Sequence, residues 1–128
     1  MGFHLKKILV AEDDRYLSRS LDTWLTLEGF EVVSVYHGDE ALNQLTRESF
    51  DLLITDIAMP RLNGVELIGR IRQLRPELPI LVVSGKLTAH LADDLRELGI
   101  HNILSKPIKP LDFRTVIESL FPDTRQAS

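Results

Sequence analysis

The chain has 128 residues, of which 44% are apolar and 27% charged, and it carries a formal net charge of -4, a pI near 5.5 and no cysteine. This length is enough to bury the core of one globular domain. The net negative charge argues against nucleic-acid binding by this chain alone. The missing cysteines exclude disulfides and sulfur-bound zinc, and no stretch approaches the roughly 20 apolar residues of a membrane span, so we expect a cytoplasmic protein.

Strand-like and helix-like segments alternate along the chain. Short apolar runs predict five strands, at 6–11, 31–36, 50–55, 80–84 and 102–105. Amphipathic spacing predicts five helices, at 16–30, 38–49, within 63–79, at 87–100 and at 110–121. Gly29 is the predicted stop of the first helix, and Pro76 and Pro79 end the third. This alternation calls for a parallel sheet covered on both faces, since the first, third and fourth strands are apolar throughout.

Polar side chains follow four of the five predicted strands. They are Glu12, Asp13 and Asp14 after the first strand, Asp56 after the third, Ser84 at the end of the fourth, where Gly85 follows it, and Lys106 after the fifth, where Pro107 follows it. Because ligands of such sheets gather outside the carboxyl ends of the strands, we expect these groups to converge. Mg²⁺ prefers oxygen ligands, and an aspartate can attack phosphorus while a lysine neutralises the phosphoryl oxygens. The pattern therefore predicts a site for a divalent cation and a phosphoryl group.

Each of these residues has an ordinary interpretation when it stands alone. The acidic triple can favour the positive end of the following helix, and Asp56 can be a turn residue. Ser84-Gly85 is a common turn pair, and an isolated Lys106 is usually solvated. The joint placement at four strand ends favours the functional interpretation over four independent accidents.

Four motifs occur in a fixed order, namely "ILVAEDD", "LLITDIAMPRLNGVEL", "ILVVSG" and "ILSKP". In these motifs and their spacing, the chain from about Lys6 to Leu120 resembles the chemotaxis-regulator-like receiver domain of bacterial two-component response regulators. The resemblance implies a flavodoxin-like, doubly wound α/β fold with a five-stranded parallel sheet of order 2-1-3-4-5 and five helices. It also implies a single domain over 1–128, with a core at about 6–121 and a tail at 122–128.

The resemblance also implies roles for individual residues. Asp56 becomes the phosphoacceptor, assisted by Ser84 and Lys106, and Ser84 is also the switch hydroxyl. The implied Mg²⁺ ligands are Glu12, Asp13, Asp56 and the carbonyl of Ala58. In this family the Lys106-Pro107 bond is usually cis, and Gly64 fits the turn after the phosphoacceptor loop, where we expect a positive φ.

Two positions depart from the usual pattern of the family. Glu12 stands where aspartate is commoner, and because its longer arm reaches a metal directly or through water, we expect metal binding to persist. Ile103 stands three residues before the lysine, where the family usually has a Tyr or Phe that rotates as a switch. Isoleucine has few χ1 options, so we expect the switch to act through the backbone around Ser84 to Leu87.

The function implied by the resemblance is that of a receiver. Such a domain takes a phosphoryl group from a sensor histidine kinase or phosphotransfer protein, with Mg²⁺. It then alters the face made by helix four, strand five and helix five, which meets an output domain or protein. Formation of a homodimer is a further possibility that the resemblance leaves open. We expect no enzyme activity beyond its own phosphorylation and dephosphorylation.

Two other hypotheses belong to different classes. A haloacid-dehalogenase-like phosphatase also uses an aspartate nucleophile and Mg²⁺ after a strand. That family needs a second aspartate two residues on, where this chain has Ala58. A pseudo-receiver would be an interaction module that signals without phosphate, and the intact set of acidic, hydroxyl and lysine residues argues against it.

Overall fold

The structure is a computed structural model that describes residues 5–58 and 64–122. Its strands are β1 (Lys7–Ala11), β2 (Glu31–Val35), β3 (Leu52–Asp56), β4 (Ile80–Ser84) and β5 (Asn102–Ser105). Its helices are α1 (Arg15–Leu27), α2 (Gly38–Arg47), α3 (Gly64–Leu74), α4 (Ala89–Glu97) and α5 (Pro110–Leu120). The predicted helix start at residue 63 and the predicted tail beyond 122 lie outside the described residues. Within 5–58 and 64–122, no helix is long and apolar enough to cross a membrane.

The five strands form one parallel sheet in the order β2-β1-β3-β4-β5. This confirms the predicted doubly wound, flavodoxin-like α/β architecture. The strand order reverses between β1 and β3, and a crevice opens there at the carboxyl ends of the strands. Asp56 was predicted to follow β3, but it is the last residue of this strand and pairs with Val83 of β4.

The core lies in two layers, one on each face of the sheet. Alternate side chains of a strand point to opposite faces, so Leu9 and Leu53 pack with α2, α3 and α4. Val10 and Ile54 pack with α1 and α5 on the other face. All four of these side chains are buried. This two-sided burial is the physical reason for the continuous apolar runs of the central strands.

Two helix ends depend on glycine. Gly29 and Gly99 follow α1 and α4 with φ of 94° and 80°, in the left-handed region that glycine adopts without strain. After α4, the N–H groups of Gly99 and Ile100 donate to the carbonyls of Arg96 and Leu95, both at 3.0 Å. The glycines therefore end their helices, which confirms Gly29 as a stop and makes α4 shorter than its prediction of 87–100.

Candidate functional site

Three carboxylates converge at the crevice between β1 and β3. Glu12 and Asp13 directly follow β1, and Asp56 ends β3. Each contributes a carboxylate oxygen, and these three oxygens all lie within 4.8 Å of one another. Glu12 and Asp56 are 0% and 2% exposed, whereas Asp13 is exposed. The site is thus an acidic cluster with a buried floor and one side open to solvent.

Lys106 spans the two buried carboxylates. Its Nζ lies 2.5 Å from Asp56 Oδ2 and 3.0 Å from Glu12 Oε1. Burial tends to lower the pKa of Lys106, but its hydrogen bonds with Asp56 and Glu12 outweigh that effect and the pKa is raised. The Lys106 N–H donates to the Ser84 carbonyl at 2.8 Å, and the Lys106-Pro107 bond is cis, as predicted. The lysine therefore supplies a fixed positive charge beside Asp56.

Glu12 has the most perturbed titration in the site. Burial raises its pKa from 4.5 to about 7; the hydrogen bond from the Asp14 N–H opposes this rise, and the nearby charge of Asp56 adds to it. That N–H donates to Glu12 Oε2 at 3.0 Å. The other oxygen, Oε1, is also buried, and it lies 3.0 Å from the ammonium group of Lys106.

A hard divalent cation fits this donor set. Mg²⁺ prefers oxygen ligands and retains several waters, so a few carboxylates on an open site suffice. The three clustered carboxylates provide such ligands, since each offers an oxygen within 4.8 Å of the other two. The side chains of Glu12, Asp13 and Asp56 are therefore suited to hold the ion.

Asp14 does not belong to the carboxylate cluster. Its Oδ1 accepts hydrogen bonds from the N–H groups of Tyr16 at 3.0 Å and Leu17 at 3.3 Å. These contacts make Asp14 the N-cap of α1. The acidic triple thus divides between two tasks, since Glu12 and Asp13 face the crevice and Asp14 begins the helix.

The backbone around Asp56 is fixed by local hydrogen bonds. Asp56 Oδ1 accepts from the Ala58 N–H at 2.9 Å, which holds Ala58 beside the carboxylates. The hydroxyl of buried Thr55 donates to the Asp56 carbonyl at 3.0 Å. Thr55 was not among the predicted site residues, although it is the one polar residue in the otherwise aliphatic run "LLIT". A metal-ligand role for the Ala58 carbonyl stays a prediction.

Ser84 and Ile103 lie at different positions along their strands. Ser84 ends β4 and is 2% exposed, and its Oγ accepts a hydrogen bond from the Lys86 N–H at 3.3 Å. Ile103 lies inside β5, pairs with Val82, and packs half-buried against the α2–α3–α4 layer. Ser84 therefore lies at the carboxyl end of the strands, near the carboxylates, whereas Ile103 lies inside its strand, away from that end. The switch roles of both residues stay predictions.

Gly64 corrects an expectation about its backbone. We expected a positive φ there, but within the described residues only Gly29 and Gly99 are glycines with φ in that region. Gly64 is needed for space, because a Cβ at this position would lie 2.4 Å from the carbonyl oxygen of Ile57 and 2.6 Å from its Cα. The start of α3 thus packs directly on the backbone that follows Asp56.

This close approach predicts opposite effects for two alanine substitutions in α3. Gly64→Ala should lower the free energy of unfolding by about 2 kcal/mol or more, because backbone must move to relieve the overlap. Gly69→Ala should raise it by about 0.5–1 kcal/mol, because nothing lies within 4 Å of a Cβ there and alanine favours a helix. Urea unfolding of the two variants tests this, and a loss of equal size in both would contradict the steric explanation.

Comparison with known proteins connects this geometry to one domain type. A family model described as the response regulator receiver domain matches residues 8–118. The response regulator receiver protein CpdR of Brucella abortus (strain 2308) is 35% identical over 116 residues, which cover 91% of this chain and 97% of that protein.

Two further comparisons concern a longer relative and a solved structure. The Regulator of RpoS from Escherichia coli (strain K12) is 38% identical over 109 residues, which are 84% of this chain but 32% of that protein. This chain therefore spans about a third of the length of that relative. The solved CheY-like receiver domain protein from Methanospirillum hungatei JF-1 has a TM-score of 0.89 and 27% identity, and the match covers 98% of this chain and 100% of that one.

Proposed function

Because this chain belongs to the response regulator receiver domain family, we propose that it accepts a phosphoryl group on Asp56 and alters a partner surface in response. One observation carries the proposal. The Asp56 carboxylate is buried at a strand end, clustered with Glu12 and Asp13, and 2.5 Å from the ammonium group of Lys106. A structural aspartate has no need of a second and third carboxylate that repel it.

The chemistry follows from these side chains. A carboxylate oxygen of Asp56 attacks phosphorus and forms a new P–O bond, while the P–N bond of a donor phosphohistidine breaks and its electron pair stays on the imidazole. Lys106 offers positive charge to the phosphoryl oxygens, which reduces the cost of the transfer. The ligands of Mg²⁺ would be the carboxylates of Glu12, Asp13 and Asp56 with the Ala58 carbonyl. When bound, the ion neutralises charge on the phosphoryl group.

The proposal includes the partners of the domain. The donor is a sensor histidine kinase or a phosphotransfer protein, and this domain accepts the group in the cytoplasm. The receiving surface is the face formed by α4, β5 and α5, which meets an output domain or protein. The chain then catalyses only its own phosphorylation and dephosphorylation and turns over no separate substrate.

Phosphorylation by a small donor tests the proposal directly. We expect acetyl phosphate with Mg²⁺ to raise the intact mass of the protein by one phosphoryl group. Asp56→Asn should abolish the increase, because an amide oxygen is a poor nucleophile, and EDTA should abolish it in the wild type. Intact-mass spectrometry at neutral pH is the measurement.

Asp14→Asn is the matched control for this experiment. Asparagine caps a helix about as well as aspartate, and Asp14 lies outside the carboxylate cluster, so this variant should still gain the phosphoryl group. An unchanged mass in wild-type protein that binds Mg²⁺ would rule out the phosphoacceptor role and favour a phosphate-independent interaction module.

A further inference from the structure

Arg72 joins three elements at the end of the sheet opposite the acidic cluster. It lies in the last turn of α3, and its Nε donates to the Leu98 carbonyl at 3.1 Å. Its Nη1 donates to the Leu78 carbonyl at 2.6 Å. The guanidinium fork is planar and rigid, so one side chain can satisfy two carbonyls in fixed directions. Arg72 therefore connects α3 to the end of α4 and to the loop before β4.

Helix α4 is held unevenly along its length. Leu95 is its one buried residue, and it lies near the C-terminal end. Ile100, just beyond that end, is also buried. At the N-terminal end, Thr88 and His90 are exposed, and the Thr88 hydroxyl caps its own helix by accepting from the Leu91 N–H. The N-terminal half of α4 is thus packed less deeply than its C-terminal end, since its Leu91 is only partly buried against the core.

We infer that Arg72 is a positioning residue that fixes the C-terminal end of α4, so that α4 responds to the state of Asp56 by pivoting its N-terminal half. This inference rests on the proposed function. The N-terminal half of α4 directly follows the segment after Ser84, where the backbone of this chain is expected to move. A helix with one anchored end and one less deeply packed end converts such a movement into a rotation, as hinges do.

Arg75 provides a matched comparison within the same region. It lies three residues after Arg72, and its Nη2 donates to the Leu45 carbonyl near the end of α2 at 2.5 Å. Its Nη1 donates to the Leu74 carbonyl at 3.2 Å. Both arginines thus bind the C-terminal carbonyls of a neighbouring helix, which also suits the helix dipole. Arg75 holds α2, whereas Arg72 holds α4.

Amide hydrogen exchange tests the anchoring without any phosphoryl analogue. In Arg72→Gln, the amides of Gly99 and Ile100 should exchange about tenfold faster or more, because a hydrogen bond from a charged donor is lost. The Glu48 amide, which donates to Gln44 at the end of α2, should be unchanged. Arg75→Gln should show the reverse pattern. Unchanged protection of Gly99 and Ile100 in Arg72→Gln, or equal loss in both variants, would overturn the anchoring role.

Beryllofluoride, which mimics a phosphoryl group on aspartate, tests the pivot by NMR. In the wild type, backbone shifts of α4 should be largest at residues 88–91 and small at 98–100. In Arg72→Gln they should extend to 98–100, while Arg72→Lys, which keeps the charge without the fork, should be intermediate and Arg75→Gln should match the wild type. Large wild-type shifts at 98–100 would overturn the pivot. A wild type that shows no response near Asp56 would instead refute the proposed function, and the exchange experiment would still decide whether Arg72 anchors α4.

Discussion

Asp13→Ala is expected to weaken Mg²⁺ binding roughly tenfold or more, whereas Asp14→Ala should leave it nearly unchanged. Loss of a partner that only orients a metal ligand already costs about 10–100-fold in affinity, and Asp13 offers a carboxylate oxygen within 4.8 Å of those of Glu12 and Asp56. Asp14 offers its carboxylate to the first turn of α1. Its backbone N–H, which donates to Glu12 at 3.0 Å, is retained in the alanine variant.

The same pair of variants should differ in the opposite sense in stability. Asp14→Ala removes a helix N-cap and should lower the free energy of unfolding by about 1 kcal/mol. Asp13→Ala removes no helix cap. Calorimetric titration of Mg²⁺, with urea unfolding in EDTA alongside, measures both quantities. Equal losses of Mg²⁺ affinity in the two variants would show that the acidic pair is assigned one residue out of place.

Much of the fold was predictable because the dominant forces leave a pattern along the chain. The run at 80–84 was predicted with the bounds of β4, since a strand buried on both faces of a parallel sheet is apolar along most of its length. The bounds of β5, a partly exposed strand at the end of the sheet, also agree with the prediction of 102–105. The grouping of Glu12, Asp56 and Lys106 was predictable for a related reason. The carboxyl ends of parallel strands meet at one edge, so topology alone brings distant residues together.

The rest depended on contacts that no sequence period encodes. Gly64 looked like a turn residue, and only the position of the Ile57 carbonyl shows that it is needed for close packing. The role of Arg72 left no signal in the sequence, because its partner Leu98 lies 26 residues away at the end of another helix. The complete burial of Glu12 was equally hidden. An acidic residue at a strand end is usually hydrated, and depth in a crevice is a property of the whole fold.

The burial of Glu12 predicts an unusual dependence of stability on pH. Its pKa is about 7 in the folded protein against 4.5 for an ordinary glutamate, so between these values the folded state binds more protons than the unfolded state. Stability must then fall as pH rises through this window. At about 1.4 kcal/mol per pH unit, Glu12 should cost on the order of 3 kcal/mol above pH 7 in metal-free protein. Ionised Glu12 is thus a destabilising group in the metal-free protein, even with the Lys106 ammonium group 3.0 Å away.

Glu12→Gln should remove this loss, because a neutral amide cannot ionise and can still accept from the Asp14 N–H. In EDTA, we expect the wild type to lose stability relative to this variant between pH 5 and pH 8, as measured by urea unfolding. The exposed Glu97→Gln is the control and should follow the wild type. Saturating Mg²⁺ at pH 8 should restore the wild type and affect Glu12→Gln less, since the cation compensates the buried charge only where that charge exists. If the free energies of unfolding of the wild type and Glu12→Gln depend on pH in the same way, then Glu12 ionises as readily as a surface glutamate, and its burial in the crevice does not raise its pKa.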